Sequence, residues 1–144
     1  ESLVAAEGRL RLSFDPLDVS EVSRLVERSE AGAVVTFAGA VRRQSQGRVV
    51  THLDYEAYPP MVLTQLQRVV DEALARWPQA KIAIHHRIGT LAIGDLAVAI
   101  AVSTPHRKEA FAACSFTIDR LKEVVPIWKR EYFEDGEHWV GWGP

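Results

Sequence analysis

Four side chains in the C-terminal half offer most of the chemistry in this sequence: His106, Arg107, Lys122 and Lys129. His106 and Arg107 follow Thr104-Pro105, a helix-start signature of a Thr N-cap and a proline at the first helical position. The unpaired backbone N–H groups and the positive dipole end of that helix point to the same place. Cations are locally unfavourable there. An imidazole and a guanidinium beside a helix N-terminus therefore suggest an anion site, with phosphate the fitting guest. The plainer alternative is a solvated surface pair.

Lys122 comes next. At 100° per residue it lies about 20° from Phe111 and about 40° from Ile118, so it flanks the helix's apolar stripe. A partly desolvated lysine serves as a base, a nucleophile or a hydrogen-bond donor. The alternative is a lysine near a helix C-terminus whose stem covers apolar surface. Lys129 lies in Pro126-Ile127-Trp128-Lys129-Arg130-Glu131. In a strand it shares a face with Ile127 and Glu131 and can turn back toward Lys122. Its alternative is a lysine that blocks pairing at a sheet edge.

Arg107 and Lys122 are fifteen positions apart on one expected helix, hence roughly 22 Å apart along its axis. A small substrate does not bridge that span. If both serve one site, the site combines two copies of the chain, which predicts a two-fold homodimer with two composite pockets.

Other candidates carry less. His85 and His86 fall on opposite faces of an expected strand and do not chelate one metal as neighbours. Cys114 falls on the apolar stripe and reads as core. Asp54 and Glu56 share a strand face without a partner that the sequence identifies. There is no P-loop, dinucleotide-binding glycine fingerprint, His-Glu-x-x-His or Gly-x-Ser-x-Gly.

The elements that must position these residues read as follows. Strands are expected over 9–14, 32–41, 49–58, 81–88, 96–102, 127–133 and 138–142. A helix capped by Asp18 or Ser20 runs to about Ser29, with Val22, Leu25 and Val26 inward. Pro59-Pro60 opens a helix to about Trp77, with Val62, Leu66, Val69, Ala73 and Trp77 on one face. The third helix runs from Thr104-Pro105 to about Val124, because Pro126 forces Val125 out of the α region. Its stripe reads as Phe111, Cys114, Ile118, Leu121 and Val125. Residues 42–48, with Arg42, Arg43 and Arg48, read as an exposed, mobile loop that orders over substrate. Residues 89–95 read as a turn region, and Asp135-Gly136 marks a hairpin. The sum is an α+β fold with three helices and a mixed, largely antiparallel sheet.

At 144 residues, the chain is expected to form one domain over residues 1–144. A net charge of −2 argues against a broad nucleic-acid footprint while leaving room for a local cationic pocket. No apolar run reaches the length of a membrane span. One cysteine rules out an internal disulfide and a cysteine-based zinc cluster and fits a reducing, cytoplasmic setting. The sequence does not begin with Met, and Glu1-Ser2-Leu3 shows no signal-peptide pattern.

Several strings combine in order: Thr36-Phe37-Ala38-Gly39-Ala40-Val41-Arg42, Leu53-Asp54-Tyr55-Glu56-Ala57-Tyr58, His86-Arg87-Ile88-Gly89, Ser103-Thr104-Pro105-His106-Arg107, and Leu121-Lys122 through Pro126-Ile127-Trp128-Lys129-Arg130-Glu131. Each is weak alone. Together they resemble the large, catalytic subunits of molybdopterin synthases across most of the chain. The resemblance implies an α/β-hammerhead-like fold with a small added β subdomain. It implies a heterotetramer in which two large subunits form a central homodimer. A small ubiquitin-like sulfur-carrier subunit docks on each. Its C-terminal Gly-Gly thiocarboxylate passes sulfur, in two rounds, to cyclic pyranopterin monophosphate, giving molybdopterin.

By position, the resemblance makes Lys122 and Lys129 the catalytic lysines, with Lys122 against the tail's terminal glycine. It places Arg42, His106 and Arg107 on the substrate's phosphate and pterin, makes Phe37 a pocket wall, and puts the His-Arg pair in the neighbouring large subunit's pocket. It implies no metal and no redox cofactor. Family members often supply a further arginine beyond the last tryptophan strand. Here Trp139-Val140-Gly141-Trp142-Gly143-Pro144 holds none, and Arg43, Arg48 and Arg130 are the candidates to replace it. Two rival readings are a non-catalytic dimeric scaffold that binds a Gly-Gly tail, and an enzyme that uses Lys122 as a Schiff-base lysine on a sugar phosphate.

Overall fold

A computed structural model describes residues 2–142. The strands are β1 (Ser2–Ala5), β2 (Leu10–Ser13), β3 (Ala33–Ala40), β4 (Gln44–Ser45), β5 (Arg48–Ala57), β6 (Lys81–Arg87), β7 (Gly89–Ala92), β8 (Leu96–Thr104), β9 (Ile127–Phe133) and β10 (His138–Trp142). The helices are α1 (Val19–Val26), α2 (Pro59–Arg76) and α3 (Arg107–Val124). They form an α+β fold with two five-stranded sheets. One has the order β1-β2-β6-β8-β3; the other runs β10-β9-β5-β4, with β7 also paired to β5. Among the described residues only β2 and β6 pair in parallel. Among the described residues no helix is long and apolar enough to cross a membrane.

The centre of the first sheet is buried on both faces, and its strands alternate by size. Ile82, Ile84, Val98, Ile100 and Val102 face α2 and α3. Ala83, Ala99 and Ala101 face α1, whose Val22 and Val26 pack onto them. Small residues on that side let α1 lie close. Asp18 caps α1 by accepting a hydrogen bond from the Ser20 N–H at 2.9 Å. Pro59 and Pro60 open α2, which buries Val62, Leu66, Val69, Val70 and Ala73.

Three strands depart from the sequence reading. Residues 2–5 pair along β2. Within 42–48, expected as a loop, Gln44–Ser45 form a short hairpin strand on β5. Within 89–95, expected as a turn region, Gly89–Ala92 pair with β5. Strands this short show no legible alternation.

The start of α3 also moves. Thr104 is the last residue of β8, paired with Ala33. Its Oγ1 donates to the His106 carbonyl at 2.5 Å, so His106 takes the N-cap position, with no side-chain cap. The sheet ladder outcompetes the capping preference of Thr104.

The stripe of α3 is corrected as well. Ala110, Ala113, Cys114, Thr117, Ile118 and Leu121 are buried, whereas Phe111 is 62% exposed. The inward line combines small residues with Ile118 and Leu121, and the Thr117 hydroxyl is satisfied by the Ala113 carbonyl at 2.7 Å. Phe111 follows directly after the buried Ala110 and falls outside that line.

Candidate active site

A cavity of about 370 Å³ opens where the end of β3, the β4 hairpin, β5, the last turns of α3 and β9 meet. Its walls include Phe37, Arg42, Tyr55, Lys122, Lys129 and Glu131. Each arrives by a local rule. Along β3 burial alternates, which turns Phe37 and Gly39 inward. A Cβ at Gly39 would come within 2.9 Å of Val98 and 3.2 Å of the Phe37 ring, so glycine keeps this wall thin. The register of β3 on β8 shifts between Gly39 and Ala40. Such a bulge re-aims the strand, and Arg42 follows directly beyond it.

On β9, Ile127, Glu131 and Phe133 are buried and Lys129 is half-buried. This is the shared face that strand periodicity predicts for Ile127, Lys129 and Glu131. Lys129 lies opposite Tyr55, and Glu131 opposite Leu53. Glu131 is 6% exposed and accepts a hydrogen bond from the Ser45 hydroxyl at 2.9 Å, tying the arginine hairpin to the cavity. Lys122 sits in the last turn of α3 and is exposed at the cavity mouth. Solvent reaches it in the single chain, so the desolvation expected for it is absent there. The Trp142 indole N–H donates to the Lys122 carbonyl at 3.2 Å, clamping this helix end to β10.

Of the six residues singled out from the sequence, Phe37, Arg42, Lys122 and Lys129 line this one cavity. His106 and Arg107 do not. They stand exposed at the other end of α3, in a shallow depression with Gly32, Ala33, Pro105 and Lys108.

Arg43, Arg48 and Arg130 separate clearly. Arg48 is engaged elsewhere, with Asp135 at 2.5 Å and Glu137 at 2.8 Å, and lies over the Phe133 ring at 4.1 Å. Arg130 is one position out of phase with Lys129, opposite Asp54, and so on the other face of the sheet. Arg43 is exposed beside Arg42.

Sequence reasoning missed Tyr55 and Glu131 as cavity residues. The signal available was cross-strand: alternation puts Leu53 and Tyr55 on one face of β5, and the pairing with β9 sets them against Glu131 and Lys129. Burial, and then the Glu131 carboxylate, pushes the Tyr55 phenol up to about 12, so it stays protonated. Cys114 is buried, and burial pushes its thiol up to about 11, as befits a core residue. His85 and His86 face opposite ways. His85 Nε2 lies 2.8 Å from the Gly8 carbonyl, and His86 sits against Tyr55.

Fold and cavity together define an α+β protein with a basic, partly apolar pocket suited to an anionic guest. The sequence model described as "MoaE protein" matches residues 12–124. A molybdopterin synthase catalytic subunit from Halalkalibacterium halodurans is 47% identical over 92% of this chain and 85% of its own length. The X-ray crystal structure of molybdopterin synthase from Staphylococcus aureus superposes with a TM-score of 0.86 at 42% identity, covering 90% of this chain and 94% of the other. A further likeness of fold, with a TM-score of 0.71 at 20% identity, covers 90% of this chain and 88% of the other. It is to a chain in a protein–protein complex of subunits 1 and 2 of the molybdopterin-converting factor from Helicobacter pylori. The chain belongs to the MoaE family.

Proposed function

We propose that this chain acts as the catalytic subunit of a molybdopterin synthase. In this reading it is a sulfurtransferase that converts cyclic pyranopterin monophosphate to molybdopterin. The sulfur comes from the C-terminal thiocarboxylate of a small ubiquitin-like subunit. The observation that carries the reading is the single cavity that gathers Phe37, Arg42, Lys122 and Lys129.

A thiocarboxylate is already a sulfur nucleophile, so the protein need not supply a thiol. That suits a chain whose one cysteine is buried. What remains is to hold an anionic substrate, align the tail and move protons. Arg42 offers a planar, bidentate donor to phosphate. Lys122, at the mouth, meets the terminal glycine of the tail. Lys129, half-buried in the wall, stands where a proton is exchanged.

His106 and Arg107 complete the phosphate site from a second copy of the chain. The length of α3, roughly 22 Å between Arg107 and Lys122, supports this, because one chain cannot close the site by itself. The exposed Phe111, with the small Ala112 and Ser115 beside it on the outer side of α3, offers a place for such pairing. The working assembly is then a heterotetramer with a central homodimer.

The test is product formation followed by mass spectrometry, with a thiocarboxylated small subunit and cyclic pyranopterin monophosphate. The wild-type chain yields a dithiolene pterin, and Lys122→Ala lowers the rate by about 100-fold or more, the scale of a lost acid–base group. A tight complex that transfers no sulfur would favour the scaffold reading instead.

A further inference from the structure

Among the cavity's charged groups stands one phenol, and its support is unusual. Tyr55 is 5% exposed, lines the cavity and lies directly opposite Lys129. Its ring meets His86 edge to face, with centroids 5.3 Å apart and planes at 88°. His86 is fully buried near the end of β6, where the chain leaves one sheet and enters the other through β7. Its Nδ1 lies 2.7 Å from the Arg87 carbonyl. A carbonyl only accepts, so Nδ1 carries the hydrogen and Nε2 is left as a lone pair. That buried Nε2 has no partner among the described residues.

An imidazole with an unsatisfied nitrogen is a costly way to fill a core position, so it calls for a reason. Burial pushes His86 down to about 4, and the ring is therefore uncharged at neutral pH. The phenol in front of it keeps its proton, as described above.

We propose that Tyr55 donates a hydrogen bond to the acyl oxygen of the sulfur-carrying tail, and that His86 is the positioning residue that fixes the Tyr55 ring. The inference rests on the sulfur-transfer reading. Once the tail's sulfur has displaced an oxygen substituent from a substrate carbon, that oxygen leaving with the electron pair of the broken carbon–oxygen bond, the two are joined as a thioester. Water adds to the acyl carbon and the acyl carbon–sulfur bond breaks. The sulfur stays on the substrate as a thiol, and the tail leaves as a carboxylate. One proton of the water ends on sulfur and the other on a lysine amine or in solvent, so no oxidant or reductant is needed. Negative charge builds on the acyl oxygen as water adds, and a pre-oriented neutral donor stabilises it there more than in the ground state. His86 contributes a rigid, uncharged backing with a single tautomer, so the phenol need not reorganise during the step.

The experiment uses the complete complex with its thiocarboxylated small subunit and compares wild type, Tyr55→Phe, His86→Phe and Tyr55→3,5-difluorotyrosine. Tyr55→Phe keeps the ring and is expected to leave Tm close to that of wild type and tail affinity within twofold. It should lower kcat about 100-fold, the scale of a lost oxyanion donor, with the pterin KM within twofold. His86→Phe should lower kcat by a smaller factor at unchanged tail affinity. The difluorinated phenol retains a more acidic donor, so the alkaline limb of its kcat profile should move to lower pH. Arg42, Lys122, Lys129, Glu131 and His86 face Tyr55 or share its cavity. They are common to both proteins, so that displacement belongs to Tyr55. Wild-type kcat in Tyr55→Phe, or an unmoved alkaline limb, would overturn the inference alone. A wild-type complex that makes no dithiolene product would overturn the sulfur-transfer reading and this inference with it.

Discussion

The two ends of α3 are built in opposite ways. At its C-terminus, Lys122 stands at the mouth of a walled cavity, and two tethers hold its surroundings: the Trp142 indole on the Lys122 carbonyl and the Ser45 hydroxyl on Glu131. At its N-terminus, His106 and Arg107 are exposed, the cap position makes no side-chain bond, and neither residue reaches the cavity that Lys122 lines. One end lines an enclosed cavity. The other presents its two cations at the surface. A helix of this length separates its ends too far for one small substrate, and the proposed pocket shared between two chains would account for the difference.

The comparison breaks first at the open end. Arg107→Ala is expected to raise the KM for the pterin phosphate by about 10- to 100-fold, the worth of charge-assisted hydrogen bonds to a phosphate. Its effect on binding of the small subunit's tail should be within twofold. Steady-state kinetics beside tail-binding titrations check this. Equal losses in both would mean that the open end does not serve the substrate selectively.

A second effect sharpens the contrast by probing the closed end from behind. His86 titrates at about 4 in the folded chain and near 6.5 when unfolded. Burial also holds His85 below its ordinary value. The unfolded chain therefore binds more protons in this window, and stability falls as the pH drops from about 6.5 toward 4. For His86 alone the loss is about 3 kcal/mol once the pH is below both values. Urea titrations across that range should show it, and His86→Phe should flatten the dependence in part.

The smallest expected effect concerns the tether between hairpin and cavity. Ser45→Ala removes one hydrogen bond to a buried carboxylate and should cost about 1–2 kcal/mol of stability. Amide exchange should quicken in residues 42–48 while β8 remains protected.

Much of this was readable beforehand, for identifiable reasons. The three helices announce themselves by prolines, an Asp cap and apolar spacing. Lys129 and Glu131 share a face by strand alternation. Arg107 and Lys122 are set apart by counting along a helix. What escaped depends on tertiary competition. Thr104 has a cap's chemistry but a strand's partner in Ala33. Phe111 has the spacing of a core residue, yet the buried line of α3 runs through Ala110, Cys114, Ile118 and Leu121 and leaves it outside. Strands β4 and β7 exist because β5 offers them an edge. Tyr55 enters the cavity through its pairing with Lys129, which lies far along the chain.

The central claim, that the two ends of α3 meet across two chains, is tested most directly by mixing inactive copies. Lys122→Ala and Arg107→Ala chains are each near-inactive at limiting substrate. Refolded together, they form mixed dimers in which one pocket carries both mutations and the other carries neither. With random pairing, about one quarter of wild-type activity should return. If each pocket were completed within a single chain, every site would lack one residue or the other, and the mixture would stay as inactive as its parts.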